Sequence, residues 1–254
     1  MDSLVSKIAD VLRVFSPKES QRYFTSAVVL AAGSGQRFGQ EHGPKQFRLI
    51  GGIPAVVRSL LAFEKSEYIN EIILVTTAED IGRCERYRTE YGITKLAKIL
   101  PGGADRQASA KIGFDVICPK AKFVAIHDGA RCLITPEMIR DTVRGAYEYG
   151  AAVAAEKSRD TVKCSDANDC VEQSPDRNAI WLAKTPQVFL ADMYRAAVYT
   201  AEKDNVRATD DSMLAERLGF KVRLVDCGAE NIKITVPMDV TIAEAILCAR
   251  GEEF

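Results

Sequence analysis

Short apolar runs alternate with longer amphipathic stretches along the chain from Ser26 onward. The apolar runs, which predict β-strands, are residues 27–32, 72–76, 123–127, 151–155 and 222–225. The amphipathic stretches, which predict helices, include residues 55–65, 135–149, 192–202 and 210–218. Several runs are apolar at successive positions, which is typical of parallel strands covered on both faces. The alternation therefore predicts an α/β fold, a Rossmann-like open, mostly parallel sheet with helices on both faces.

One polar, turn-rich segment, residues 156–181, interrupts this alternation. Candidate strands around residues 159–164 and 178–181 flank the turn-forming sequence Ser-Asp-Ala-Asn-Asp at 165–169. We expect a β-hairpin arm that projects from the domain. No internal repeat or change of composition indicates a second domain, so residues 26–254 are predicted to form one domain.

Residues 1–25 form an N-terminal extension of this domain. Apolar side chains recur at helical spacing from Leu4 to Phe15, and charged residues such as Lys7 and Arg13 interrupt them. These charges exclude the continuous apolar core of a signal peptide, and the proline at position 17 is expected to end the helix. We predict a short helix that packs on its own domain or on a second subunit. The alternative is a helix that binds a membrane surface or a partner protein.

Composition and charge exclude several functional classes. The 254 residues include 34 Lys and Arg against 35 Asp and Glu, whereas a dedicated nucleic-acid binder should carry a basic excess. No apolar run approaches the ~20 residues that a membrane span requires. The seven cysteines are scattered and form no C-x-x-C motif. This pattern predicts reduced thiols in a cytoplasmic protein, with neither a disulfide framework nor a zinc site.

The strongest chemical signal is a glycine-rich loop, AAGSGQRFG at residues 31–39, directly after the first predicted strand. Such glycines let backbone N–H groups approach a phosphate chain, and a following helix N-terminus favours negative charge. Arg37 and Lys45 add cationic donors. The spacing matches neither the G-x-G-x-x-G dinucleotide motif nor a Walker loop, and no acidic residue follows at roughly 20 positions to bind a ribose.

Two further charged residues follow predicted strands. Asp128 lies in HDGAR at 127–131, at the carboxyl end of a predicted buried strand that faces the ligand crevice of an open α/β sheet. It is a candidate Mg²⁺ ligand, and the alternative is a turn-capping carboxylate paired with Arg131. Lys233, in NIKITVPMD at 231–239, is expected to end another strand, either near a second anionic group or as a solvated surface charge.

Nine motifs, taken in order, resemble those of the 2-C-methyl-D-erythritol 4-phosphate cytidylyltransferase family of the non-mevalonate isoprenoid pathway. They are AAGSGQRFG (31–39), PKQ (44–46), GGADRQAS (102–109), HDGAR (127–131), RDTVK (159–163), DRNAIW (176–181), KTPQVF (184–189), TDDSML (209–214) and NIKITVPMD (231–239). No single motif is decisive, but nine in the same order are not a coincidence. The resemblance runs from about Ser26 to the C-terminus.

This resemblance implies transfer of CMP from CTP to 2-C-methyl-D-erythritol 4-phosphate, with Mg²⁺ and with release of pyrophosphate. Arg37 and Lys45 match the catalytic residues that stabilise the pentavalent phosphorus and the leaving pyrophosphate. The positions that match CTP-binding residues are Ala31, Ala32, Gly33, Gly35, Gly103, Ser109, Asp128 and Arg131. The positions that match substrate-binding residues are Thr161, Arg177, Thr185, Thr209 and Lys233. In the family the arm crosses to the other subunit of a homodimer, so Thr161 and Arg177 are expected to reach the partner's site.

The implied chemistry agrees with the small number of catalytic side chains. Two anions, a triphosphate and a phosphomonoester, must be brought together, which requires positioning and charge neutralisation. The substrate phosphate has a second pKa of about 6, so it is already ionised and needs no general base. In-line attack on the α-phosphorus without a protein nucleophile therefore suits a chain with only two histidines.

The sequence departs from the family pattern at Cys132, where proline is usual, and in its N-terminal extension. The main alternative is a ribitol-5-phosphate cytidylyltransferase. Sequences of that type tend to have AGG instead of the AAG at 31–33 and to lack the TDD pattern at 209–211, so both features favour methylerythritol phosphate. More distant alternatives are an NAD-type oxidoreductase on a Rossmann-like fold and a nucleotide-sensing module without catalysis.

Overall fold

The computed structural model of the chain describes residues 22–33, 38 and 44–252. Of the N-terminal extension predicted to be helical, residues 1–21 lie outside the described residues, as do the candidate site residues Gly35 and Arg37. The strands in chain order are β1 (Thr25–Leu30), β2 (Leu49–Ile50), β3 (Ile53–Pro54), β4 (Glu71–Thr76), β5 (Leu96–Pro101), β6 (Phe123–Asp128), β7 (Ala151–Lys157), β8 (Cys164–Ser165), β9 (Val171–Gln173), β10 (Trp181–Leu190) and β11 (Arg223–Asp226). The α-helices are α1 (Ala55–Lys65), α2 (Ile81–Glu90), α3 (Arg106–Phe114), α4 (Pro136–Tyr149), α5 (Ala191–Lys203), α6 (Asp211–Arg217) and α7 (Met238–Ala249).

Capping residues explain why the amphipathic patterns locate helix ends well. The Thr135 side chain accepts a hydrogen bond from the backbone N–H of Met138, and Pro136 occupies the first turn of α4. Gly150 ends this helix with φ at 83°, a left-handed conformation that glycine adopts without strain. The helix predicted over 135–149 is therefore confirmed, with residue 135 as its cap.

Seven of the described strands form a mixed, mostly parallel sheet with the order β11-β7-β10-β6-β1-β4-β5, and β2-β3 and β8-β9 form two separate pairs. Strand β1 lies between β4 and β6 and is parallel to both. Strand β10 is antiparallel to its neighbours β6 and β7, and β11 is parallel to β7. The predicted α/β fold with an open, mostly parallel sheet is confirmed.

Helices cover both faces of this sheet and bring loops to the carboxyl ends of its central strands. Helix α3 packs so closely that a Cβ added at Gly113 would lie 2.3 Å from Cγ1 of Val28. The next residue, Val29, points to the opposite face. There, a Cβ added at Gly129 would lie 3.3 Å from the side chains of both Val29 and Val56, a residue of α1. The close approach of α3 to β1 holds the first turn of α3 at the end of β1.

The arm differs from its predicted register. The turn forms where expected, because the Asp166 carboxylate accepts hydrogen bonds from the backbone N–H groups of Asn168 and Cys170. Pairing begins close to this tight turn, between β8 and β9. Of the strands expected around residues 159–164 and 178–181, only residues 164 and 181 lie in strands, and residues 177–179 form a 3₁₀ turn. Every residue from 157 to 183 is exposed or half-buried.

Strands β5 and β10 do not show the apolar runs that identified the others. Strand β5 pairs only with β4 in the main sheet and exposes Ala97 and Lys98 in its middle, so its sequence resembles a loop. The first three residues of β10 are exposed or half-buried beside the arm, and its last seven are buried in the core. A strand that passes from solvent into the core has no single spacing of hydrophobic positions along its length. The hydrophobic pattern therefore did not predict β10 as a strand.

All seven cysteines are unpaired, and those at 84, 132 and 227 are buried. Within the part of the chain that the structure describes, no helix has both the length and the apolar character to cross a bilayer.

Candidate active site

A cleft of about 350 Å³ opens at the carboxyl ends of β1 and β6. It is lined by residues from both strand ends, from the loop before α3, from the 3₁₀ turn Lys45–Phe47 and by Lys233. In open α/β sheets this edge is where ligands bind, because the loops after parallel strands converge there. The cleft therefore lies where the sequence placed its candidate chemistry.

Two loops meet at one side of the cleft at a separation that requires glycine. A Cβ added at Gly102 would lie 2.4 Å from Cβ of Ala32, and one at Gly103 would lie 2.6 Å from Cβ of Ala108. Backbone hydrogen bonds hold both loops on β4, from Ala31 N–H to Val75 and from Gly102 N–H to Thr76, each at 2.7 Å. Backbone groups of residues 31–33 and 102–103 can thus approach a bound ligand closely.

Ser109, one of the expected nucleotide contacts, shapes this loop. Its Oγ accepts a hydrogen bond from Gly103 N–H at 3.1 Å and donates one to the Asp105 carbonyl at 2.8 Å. The Asp105 side chain caps α3 by accepting from Ala108 N–H. The loop before α3 is therefore a rigid turn that leads directly into a helix N-terminus.

Lys45 reaches the cleft on a turn that is anchored by its neighbour. Gln46 is buried and its Nε2 donates a 2.9 Å hydrogen bond to the carbonyl of Ala31. This bond holds the 3₁₀ turn Lys45–Phe47 against the end of β1, and Lys45 is half-buried at the cleft wall. Gln46 belongs to the PKQ motif, and its anchoring role depends on a contact with Ala31 that the motif alone does not show.

Asp128 lies at the centre of a cluster of cations at the end of β6. Arg106 Nε donates to its Oδ1 at 3.0 Å, and Lys233 Nζ donates to its Oδ2 at 2.7 Å. Arg131 Nε lies 3.9 Å from Oδ2. Burial alone raises the pKa of the Asp128 carboxyl, but Arg106 and Lys233 outweigh burial and hold this pKa below its usual range. The carboxylate is therefore charged at neutral pH.

This arrangement does not fit the expectation that Asp128 ligates Mg²⁺. Both carboxylate oxygens already accept hydrogen bonds from cationic side chains, and the surrounding positive charge opposes a divalent cation. Among the described residues, no group of three or more His, Cys, Asp and Glu side chains is arranged to hold a metal ion. The sequence suggested Arg131 as a partner of Asp128, but it did not show that Arg106 and Lys233 would bind the carboxylate.

Arg106 is a residue of the site to which sequence reasoning gave no role. Besides Asp128, its guanidinium binds Asp211, with Nη1 donating to Oδ2 at 2.7 Å. Burial lowers the pKa of Arg106, but the two carboxylates outweigh burial and raise it above its usual value. The signal was present in the GGADRQAS motif, because Arg106 is the first residue of a helix that follows a glycine turn.

The segment that carries Lys233 is a loop, so the expectation that Lys233 ends a strand is wrong. Residues 227–237 form no strand, because they bond to other loops: Ile234 N–H donates to the Ala130 carbonyl, and Arg131 Nη1 donates to the Asn231 carbonyl. Lys233 still reaches the cleft. Arg131, expected as a nucleotide contact, therefore joins the loop after β6 to the Lys233 loop.

The threonines expected on the substrate side lie at two depths. Thr185 is buried, and its Oγ1 accepts a hydrogen bond from Asp128 N–H at 3.0 Å and contacts His127 Nδ1 at 3.1 Å. Burial lowers the pKa of His127 to about 3, so this ring is neutral. Thr209 is exposed and immediately precedes Asp210, the capping residue of α6.

The two expected substrate residues of the arm do not line the cleft of their own chain. Thr161 is exposed in the segment after β7. Arg177 is exposed, and its Nη1 donates to the Arg159 carbonyl at 3.2 Å. The described residues therefore bring together the end of β1, Lys45, the loop before α3, Asp128, Arg131, Thr185 and Lys233, and leave the arm apart.

Comparisons with known proteins point in one direction. Residues 25–249 match the family model described as 2-C-methyl-D-erythritol 4-phosphate cytidylyltransferase. Proteins of that name from Lachnospira eligens and Caldanaerobacter subterraneus subsp. tengcongensis are 41% and 40% identical to this chain, and each alignment covers 87% of this chain and 98% of the relative. The crystal structure of 4-diphosphocytidyl-2C-methyl-D-erythritol synthase from Anaerococcus prevotii superimposes with a TM-score of 0.79 at 29% identity, covering 89% of this chain and 99% of that one.

The ion pairs between Asp128 and its neighbouring cations should contribute to the stability of the folded protein. We expect Asp128→Asn to lower the free energy of unfolding by about 3 kcal/mol, because it leaves half-buried cations without their common, buried carboxylate. The matched control is Asp115→Asn, which removes the carboxylate of the more exposed pair with Lys111 and is expected to cost less than about 1 kcal/mol. Urea unfolding followed by circular dichroism measures both variants.

The same experiment tests the charge of Asp128. A carboxyl whose folded-state pKa is lowered contributes stability above its unfolded-state pKa of about 3.9 and loses that contribution as the pH falls through the folded-state pKa. The destabilisation by Asp128→Asn should therefore be equal at pH 7 and pH 5. A difference that shrinks at pH 5 would contradict the lowered pKa.

Proposed function

The chain belongs to the 2-C-methyl-D-erythritol 4-phosphate cytidylyltransferase family, and on this premise we propose that it transfers CMP from CTP to 2-C-methyl-D-erythritol 4-phosphate and releases pyrophosphate. The observation that carries the proposal is the cleft itself. A glycine-bearing loop, the N-terminus of α3 with Arg106, and the side chains of Lys45 and Lys233 line a space of about 350 Å³. These are the groups that bind and neutralise two phosphate-bearing molecules.

The reaction needs positioning and charge neutralisation. An oxygen of the substrate phosphate attacks the α-phosphorus of CTP in line, and the bond from that phosphorus to the bridging oxygen of the leaving pyrophosphate breaks. The attacking oxygen is already ionised at neutral pH, so no side chain has to remove a proton. This fits a cleft whose nearby histidine, His127, is buried and neutral.

Lys45 and Arg37 are the residues that we propose act on the reacting phosphates. Lys45 stands at the cleft wall beside the end of β1, close to the backbone of residues 31–33 that would hold the triphosphate. Arg37 belongs to the same loop sequence and lies outside the described residues. Each cation would stabilise charge that increases on the pyrophosphate as it leaves.

The remaining site residues divide between the two ligands. Residues 31–33, Gly103 and Ser109 would hold CTP through the two tight loops, and Gly35, outside the described residues, is proposed to bind CTP as well. Lys233 would bind the substrate phosphate, with Thr185 and Thr209 beside the polyol. Asp128 and Arg131 would fix the cations of the cleft in place. Asp128 does not fit as a protein ligand of the magnesium ion that this family implies, because both of its oxygens accept hydrogen bonds from cations. The proposed mechanism therefore uses no metal bound by this residue.

The arm supports a homodimer in which each site is completed by the other subunit. Thr161 and Arg177 are exposed and do not line their own cleft. Both belong to motifs that match the family's substrate-binding positions, so a role in the site requires a second copy of the chain. We therefore propose that they reach the sugar-phosphate side of the partner's cleft.

Substrate choice gives the direct test of the proposed activity. Pyrophosphate release is measured with CTP and, in turn, methylerythritol 4-phosphate and ribitol 5-phosphate, with Mg²⁺ in every assay. We expect kcat/KM to be far higher for methylerythritol 4-phosphate. A clear preference for ribitol 5-phosphate would overturn the choice of substrate. Binding of CTP without release of its pyrophosphate in the presence of either compound would favour a nucleotide-sensing module.

Mixing inactive variants tests the shared site. Lys45→Ala disables a cleft and Arg177→Ala disables an arm, so a heterodimer keeps one complete site, and random subunit exchange should restore about one quarter of wild-type activity. In the control, Lys45→Ala is mixed with Lys233→Ala. Both changes lie in the cleft, so every site stays defective. Equal activity in the two mixtures, after subunit exchange is confirmed, would contradict a shared site.

A further inference from the structure

A line of polar contacts leads from the hydrophobic core to the cleft. It starts at Tyr194 of α5, whose hydroxyl donates a 2.6 Å hydrogen bond to Oδ1 of Asp211. The other carboxylate oxygen of Asp211 accepts from Arg106 Nη1, and Arg106 Nε donates to Asp128. Tyr194 and Asp211 are 0% and 1% exposed, so the inner half of this line is shielded from water.

The Tyr194 hydroxyl serves a purpose that ring packing does not require. The ring stacks on Phe189 with centroids 5.1 Å apart and meets Phe114 edge-on at 4.9 Å. A phenylalanine would make both contacts equally well. The hydroxyl instead satisfies one oxygen of a buried carboxylate, which is costly to bury unless its charge is paired and its lone pairs are used.

Asp211 is not needed to cap its own helix. Asp210 caps α6, because its side chain accepts from Met213 N–H, and Gln187 Nε2 donates to it as well. Asp211 is the first helical residue, and both of its oxygens are used by Tyr194 and Arg106. Its buried position is therefore explained by what it holds, the guanidinium of Arg106.

Arg106 joins three segments that carry site residues. Its own helix follows the loop of Gly102 and Gly103, Asp128 ends β6, and Asp211 follows Thr209 by two residues. Two carboxylates hold the guanidinium through Nε and Nη1. Its third nitrogen, Nη2, makes no hydrogen bond with any residue that the structure describes, and Arg106 lines the cleft.

We propose that Tyr194 and Asp211 are positioning residues for this site. They fix the Arg106 guanidinium, which in turn fixes the Asp128 carboxylate and keeps Nη2 available to donate to a ligand oxygen in the cleft. The inference rests on the proposed function, because the geometry it protects is that of the cytidylyl transfer. It assigns a role in turnover to a tyrosine in the core of the protein.

The first test removes only the hydroxyl, in Tyr194→Phe. A buried hydrogen bond to a charged group is lost, so we expect kcat/KM for the transfer to fall about tenfold to a hundredfold, mainly through kcat. The matched control is Tyr147→Phe. The Tyr147 hydroxyl is also buried and bonds to Thr25 Oγ1 and to the Tyr23 carbonyl, at the amino end of β1 and far from the cleft.

We expect both variants to lose thermal stability and only Tyr194→Phe to lose turnover. A second comparison places Tyr194→Phe in an Arg106→Lys background. If Tyr194 acts through the guanidinium, its effect on kcat/KM should largely disappear there, whereas independent effects would multiply. Wild-type kcat/KM in Tyr194→Phe, or an unchanged effect in the Arg106→Lys background, would overturn the proposal.

The crystal structure of Tyr194→Phe supplies a readout that does not depend on turnover. We expect the guanidinium of Arg106 to leave at least one of its two carboxylates. An Arg106 that keeps both contacts in their present places would overturn the proposal, even if the wild-type protein proved to use another substrate. Failure of pyrophosphate release in the wild type concerns the proposed function alone, so the two failures are distinguishable.

Discussion

The buried carboxylate of Asp128 is the constraint on which the rest of the site depends. A charge that is 7% exposed at the end of a central strand is stable only if cations and hydrogen bonds compensate for lost solvation. The chain meets this requirement with Arg106 and Lys233, and with Arg131 nearby. Each of these residues belongs to a different loop or helix start. Satisfying one carboxylate therefore fixes several walls of the cleft relative to the sheet.

This constraint also fits the proposed mode of action. Cations held by a carboxylate would already be oriented when the two anionic ligands of the proposed transfer arrive, so little reorganisation would be needed during the reaction. The nearly balanced charge of the whole chain does not oppose this, because the positive charge is local. Asp128 holds Arg106 and Lys233 in place, and the glycine turns leave room for a ligand to approach the backbone. In the proposed transfer, positioning takes the place of a protein nucleophile and a general base.

Local sequence patterns predicted the elements well and the contacts between them poorly. Both ends of the helix over 55–65 were predicted to the residue, because its apolar stripe and the residues that bound it can be recognised within one short stretch of sequence. Edge strand β5 and the antiparallel β10 escaped detection because their burial changes along their length. The position of Asp128 at the end of a predicted strand suggested a magnesium role, since the sequence did not show that Arg106 and Lys233 would bind its two oxygens. Contacts between distant segments depend on how the elements pack. The periodicity of hydrophobic positions within one segment carries no information about those contacts.

The most direct test of the central claim is a crystal structure of the protein with CTP and Mg²⁺ bound. If Asp128 serves to hold the cations of the cleft, Arg106 and Lys233 should remain on its two oxygens, and the metal should be ligated by phosphate oxygens and water. A magnesium ion found at roughly 2.1 Å from an Asp128 oxygen, with Arg106 displaced, would contradict the account.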